Sequence, residues 1–199
     1  MYRLGHIGMW LTLYTPIALV FLSAGQPAFA VLGAAIVFIV EPLPDRDQTV
    51  ARRIPKIVAV FIGRPKHRGF SHTIGFALIV GAIIGLFGLF IGERVFIIVG
   101  EWLADRGLGE VGSGVIEAET AVDEGMLAAF GFSMGTFAIL AHLAADVITP
   151  SGIRPLWPLS SRSLSLSLVT AGNRLANGLI FTLGIVTSSL AFGMHFGMI

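Results

Sequence analysis

The chain contains no cysteine in its 199 residues. That excludes disulfides and every thiolate-held zinc or iron–sulfur site, so any metal must be held by His, Asp and Glu. Charge is scarce as well. Asp, Glu, Lys and Arg make up 13% of the residues, against about a quarter in a soluble domain. With 55% hydrophobic residues, the chain has too little charge for an ordinary globular surface. The net charge of +1 excludes no class of partner; the placement of the charges carries the information. No internal repeat is evident.

What is present is a set of long apolar runs. A helix that crosses a bilayer needs about 20 mostly apolar residues. Five runs qualify, at about 7–24, 27–41, 73–91, 126–148 and 177–197. They predict an all-α membrane protein with about five transmembrane helices, in one domain over residues 1–199. The second run is short, and Gln26 and Glu41 are read as its interface residues. Arg3, an apolar run and Ala28-Phe29-Ala30 imitate a cleavable secretory signal. The second run follows at once, so both helices are read as retained.

Three polar segments separate the runs. Residues 42–71 hold four prolines and many bases, and Val50–Ile62 within them suits a short interfacial amphipathic helix. Residues 93–125 are acidic. Residues 149–176 contain Pro150, Pro155, Pro158 and a Ser/Leu alternation from Ser161 to Leu168. That alternation fits an extended segment or an amphipathic surface loop.

The bases fix an orientation. With five spans, the N-terminus, 42–71 and 149–176 share one side. That side carries Arg3, Arg46, Arg52, Arg53, Lys56, Arg64, Lys66, Arg68, Arg154, Arg162 and Arg174, which is 11 of the 13 bases; the other side has only Arg94 and Arg106. The positive-inside rule makes the first side cytoplasmic. The N-terminus is then inside and the C-terminus outside.

The metal-ligating residue types fall on the same side. His6 starts the first run, and Asp45 and Asp47 follow the second. His67 and His72 lead into the third, and His142 and Asp146 lie near the cytoplasmic end of the fourth. His142 and Asp146 are four apart and share a helix face. Asp45 and Asp47 are two apart behind Pro44, and an extended segment would point both carboxylates the same way. His67 and His72 are a poor helical pair, which places His67 in the loop and His72 in the first helical turn. Nitrogen and oxygen ligands of this kind suit zinc, and manganese or iron less specifically.

Plainer readings compete at several positions. Two aspartates after a span are often a solvated turn, and a lone His6 is often an interfacial histidine. His195, at the far end of the last run, is read as structural. Arg52, Arg53 and Arg64 serve as topology signals. Asp146 resists such a reading, because intramembrane carboxylates are costly and usually pair or function. Arg68 lies between two candidate ligands, where a guanidinium holds a phosphate bidentately.

These motifs resemble the YdjM family of membrane-bound, predicted metal-dependent hydrolases. The matching stretches are Gly5-His6, Leu43-Pro44-Asp45-Arg46-Asp47, His67-Arg68-Gly69-Phe70-Ser71-His72-Thr73 and His142-Leu143-Ala144-Ala145-Asp146-Val147-Ile148-Thr149-Pro150-Ser151-Gly152, the last continuing into Pro155-Leu156-Trp157-Pro158. They cover most of the chain in order. Family members often read Leu-Pro-Asp-x-Asp-His, and here the final position is Gln48. The motif style is more distantly similar to zinc-dependent phospholipases C. Those hold zinc with an N-terminal group, an aspartate, several histidines and a His-x-x-x-Asp pair.

The resemblance implies a metal-dependent hydrolase in the cell's plasma or inner membrane. His6, Asp45, His67, His72, His142 and Asp146 are the implied ligands of a divalent ion, zinc first and manganese second. Asp47 is the implied general base or a bridging ligand, and Arg68 the phosphate clamp. A phospholipid or lipid-linked phosphoester at the cytoplasmic headgroup level is the implied substrate. Two other classes compete. A transporter would spread polar residues through the membrane depth. A non-catalytic anchor would bind a cytoplasmic protein through the basic 46–68 stretch, and a YdjM-type protein is linked by name to LexA binding. Nucleic acid is disfavoured, because 42–71 has few aromatics and only seven bases over thirty residues.

Overall fold

The computed structural model describes residues 1–46, 69–120 and 123–199. Among the described residues there are six α-helices: α1 (Arg3–Ser23), α2 (Pro27–Val40), α3 (Ile74–Asp105), α4 (Gly109–Thr120), α5 (Glu124–Val147) and α6 (Arg174–His195). Single 3-10 turns, Pro44–Arg46 and Phe70–His72, follow α2 and precede α3. Among the described residues there is no strand, only an isolated antiparallel bridge between Ile153 and Leu164. Among the described residues, five helices are long and apolar enough to cross a membrane: α1, α2 with its following turn, α3, α5 and α6. The protein is an all-helical membrane protein, as the apolar runs predict.

Local chemistry sets the helix ends. Gly25, at φ +69°, reverses the chain after α1, and Pro27 opens α2 at a position where its missing N–H costs nothing. Thr73, Asp123 and Asn173 cap α3, α5 and α6 by accepting the N–H groups of Phe76, Met126 and Ala176. Ala28, Phe29 and Ala30 are buried within α2.

The largest departure from the sequence reading is α3. It runs 32 residues instead of ending at Ile91. At 1.5 Å per residue it is about 48 Å long, well beyond a hydrocarbon core of about 30 Å. No proline interrupts it, and its outer half has an apolar partner. Phe96 packs with Phe29, Val115 and Leu127 in a second core at that end of the bundle. Gly107, at φ +81°, then turns the chain into α4. The acidic 93–125 stretch is thus largely a helical hairpin.

The bundle closes through small residues. A Cβ on Gly131 of α5 would lie 2.7 Å from the Ile84 carbonyl of α3, and one on Gly135 would lie 3.1 Å from Gly81 Cα. A Cβ on Gly8 of α1 would lie 2.6 Å from Phe181 Cα of α6. In lipid, where burial of apolar surface gives helices little reason to associate, such backbone approach supplies the packing. Thr15 of α1 and Ser188 of α6 add a buried hydroxyl pair at 2.6 Å. The main core gathers Trp10, Tyr14, Val37, Ala77, Met134 and Ile139 between the helices, while Leu86, Phe87 and Phe90 of α3 and Leu179 and Leu183 of α6 point outward.

The Ser/Leu alternation does take an extended path, and it has a structural task. The N–H of Leu166 donates to the Val147 carbonyl, and those of Leu168 and Val169 donate to Ile148. Ser165 Oγ donates to the Thr149 carbonyl. Carbonyls at a helix C-terminus lack intrahelical partners, so this segment satisfies the end of α5, the helix that carries His142 and Asp146.

Candidate metal centre

Five element ends meet at the side that the positive-inside rule makes cytoplasmic: the start of α1, the end of α2, the start of α3, the end of α5 and the start of α6. Asn177, buried in the first turn of α6, joins two of them. Its Oδ1 accepts the Tyr2 N–H at 3.0 Å, and its Nδ2 donates to the carbonyls of Asn173 and Ala171. Gly5 permits this approach, since a Cβ there would strike the Asn177 side chain. His6 is thereby held one turn inside α1, facing the bundle.

His72 occupies the 3-10 turn before α3 and not the helix's first turn, because Thr73 takes the capping position. Thr73 Oγ1 also donates to the Phe70 carbonyl at 2.8 Å, and the Ile74 N–H donates to the Pro155 carbonyl at 2.9 Å. Asp45 likewise sits in a 3-10 turn and not in the extended segment expected for it. Leu43 leaves the helix before Pro44, as its position predicts, but the chain coils at once. His142 and Asp146 lie one turn apart on α5, with Nε2 3.9 Å from Oδ2.

The structure brings five of the eight sequence-predicted residues together. His72 Nε2 lies 3.3 Å from Asp146 Oδ2 and 3.8 Å from Asp45 Oδ1. His142 Nε2 lies 3.7 Å from Asp45 Oδ1, and His6 Nε2 lies 3.9 Å from Asp146 Oδ1. The His6 and His142 rings stack with centroids 4.2 Å apart. The Met1 amino group stands 3.3 Å from Asp146 Oδ1. Asp47, His67 and Arg68 lie outside the described residues, as does Val50–Ile62. His195 stands at the opposite end, on the last turn of α6, away from the cluster.

Sequence reasoning misses one member. Glu41 is no interface residue: it is 4% exposed and turned into the cluster. Its Oε1 lies 3.0 Å from His142 Nδ1 in a hydrogen bond and 3.1 Å from His6 Nδ1. The available signal is its position, a carboxylate closing an uncharged run just ahead of Pro42-Leu43-Pro44-Asp45.

The cluster suits a cation. Two groups of side chains have ligand atoms close enough to share an ion, His6 with Glu41 and His142, and Asp45 with His72 and His142. Among the described residues, Glu41 and Asp146 are two buried carboxylates with one fixed counter-charge beside them, the Met1 ammonium, and buried charge is costly unless it is paired. His6 Nε2 and His142 Nε2 are buried and make no hydrogen bond among the described residues. All the donors are nitrogen or oxygen, the set that zinc, manganese or iron accepts. Asp45 is the open edge: its side chain is 43% exposed while those of His72, His142 and Asp146 are 0–1% exposed.

Fold and site together define a multi-pass membrane protein with a buried histidine–carboxylate cluster at one end of its bundle. The model of the YdjM inner membrane protein family matches residues 1–198. The chain belongs to that family and resides in the inner membrane. Neither the curated proteins nor the solved structures yielded a match.

Proposed function

We propose that the protein is a metal-dependent hydrolase that cleaves a phosphoester, in a lipid or lipid-linked substrate, at the cytoplasmic face of the membrane. The observation that carries this reading is the convergence of His6, Asp45, His72, His142 and Asp146 from separate parts of the chain on one buried place. These five would hold the ion, zinc in preference to manganese, with His67 a further candidate from sequence. When bound, such an ion brings the pKa of its water toward neutrality and stabilises charge on a phosphoryl oxygen.

The chain's own residues supply the rest. Asp45, at the exposed edge, marks the side from which substrate approaches. Asp47, two positions on, accepts the proton of the attacking water, and Arg68 holds the phosphate through its planar fork. The position at headgroup level favours a lipid phosphoester. Transport is disfavoured by the distribution of charge. Among the described residues, the buried histidines and carboxylates His6, Glu41, His72, His142 and Asp146 gather at one end, whereas an ion path needs such groups through the membrane depth.

The test is metal content by mass spectrometry on detergent-purified protein, followed by a panel of lipid phosphoesters. Near-stoichiometric metal with cleavage that Asp47→Asn abolishes is expected. A well-folded protein that takes up no zinc or manganese when supplied would overturn the metal reading. A metal-loaded protein that cleaves nothing in the panel would overturn the hydrolase reading.

A further inference from the structure

The three histidines share one arrangement. Each turns Nε2 toward the aspartates and gives Nδ1 an oxygen partner on the other side. His142 Nδ1 and His6 Nδ1 face Glu41 Oε1 at 3.0 and 3.1 Å. His72 Nδ1 faces Ser71 Oγ at 3.0 Å. The separations differ in kind. Ligand atoms bonded at about 2.0–2.1 Å in a tetrahedral shell stand about 3.3–3.4 Å apart. The gaps of 3.3–3.9 Å between the Nε2 atoms and the two aspartates lie at or just above that spacing. The Glu41–His142 contact is instead an N–H···O hydrogen bond at 3.0 Å, whereas His6 Nδ1 stands 3.1 Å from Glu41 Oε1 without one.

We infer that Glu41 is a positioning residue, its Oε1 accepting the Nδ1–H of His142, so that the His142 Nε2 lone pair serves an ion on the aspartate side. The inference rests on the metal reading above and sharpens it. A neutral imidazole has one donor and one acceptor nitrogen, and the partner of one decides the role of the other. Glu41 fixes that choice for His142. It also excludes a second ion on the Glu41 side, because His142 cannot donate Nδ1–H to Glu41 and ligate through Nδ1. Burial of Glu41 fits the role: a carboxylate sunk at the end of a spanning helix needs a partner, and the His142 imidazole supplies it.

The test uses cobalt(II) as a visible probe in the full-length, detergent-purified protein. Wild type, Glu41→Gln and Asp146→Asn are titrated against a chelator, and their ligand-field spectra compared. Glu41→Gln should keep the wild-type spectrum and one ion per chain while binding 10–100-fold more weakly, the loss typical of an outer-shell partner. Asp146→Asn should change the spectrum itself. A Glu41→Gln spectrum altered like that of Asp146→Asn would make Glu41 a ligand and overturn the inference. So would unchanged affinity, or two ions per chain in wild type. If Glu41→Gln fails to fold, Glu41→Asp takes its place. The same spectral comparison then decides. Wild type that binds no cobalt would sink the metal reading itself.

Discussion

His72 and Asp146 face each other across the bundle, with Nε2 3.3 Å from Oδ2. One sits at the start of α3, the other near the end of α5, and both are shut off from solvent. If they share an ion, His72→Ala and Asp146→Asn should each lower zinc affinity by more than the 10–100-fold typical of an outer-shell change. Metal retained per chain after dialysis against a chelator measures this. Retention at wild-type level in both variants would remove the pair from the site.

That meeting depends on how closely α3 and α5 approach. Gly131 has no room for a side chain, since a Cβ would sit 2.7 Å from the Ile84 backbone. Gly131→Leu should cost about 1–3 kcal/mol by overpacking and weaken metal binding although the residue is not itself a ligand. A Cβ on Gly178 of α6 would meet nothing within 4 Å, so Gly178→Ala should be neutral or slightly stabilising. Thermal unfolding in detergent compares the two.

The absence of cysteine makes the topology directly testable. Gly109→Cys, at the exposed first residue of α4, should react with a membrane-impermeant maleimide from outside the cell membrane. Ser161→Cys, in the exposed extended segment, should react only after permeabilisation. The reverse pattern would place the cluster on the outer face and overturn the cytoplasmic assignment.

The hydroxyl pair of Thr15 and Ser188, at 2.6 Å, is buried between α1 and α6. Interhelical hydrogen bonds in membranes average only about 0.6 kcal/mol, and Thr15 Oγ1 also donates to the Leu11 carbonyl at 2.7 Å. A double-mutant cycle with Thr15→Val and Ser188→Ala should give a coupling of about that size, read from unfolding equilibria. The α1–α6 contact then rests mainly on Gly8 and on Gly184 of α6, where a Cβ would lie 2.8 Å from Gly8 Cα.

Much of this protein is legible in its sequence because a bilayer imposes a simple rule. A spanning segment must be long and apolar, and uneven bases fix its direction. Five spans, their order and the polar side follow without any knowledge of packing. The pairing of His142 with Asp146 also follows, since four residues return a helix to the same face. The Ser/Leu alternation leaves an extended segment and an amphipathic surface loop both open.

Tertiary structure alone decided the rest. The sequence leaves Glu41 at a helix end, where a carboxylate can face water or turn inward; only the neighbouring α1 and α5, bringing His6 and His142, make the inward direction favourable. Which nitrogen of His142 faces the aspartates is set by Glu41, an oxygen from another element. The length of α3 past Ile91 depends on Phe96 finding Phe29, Val115 and Leu127. Spacing along a chain fixes periodicity and side, but the partner of a buried polar atom comes from a distant segment, and packing selects it.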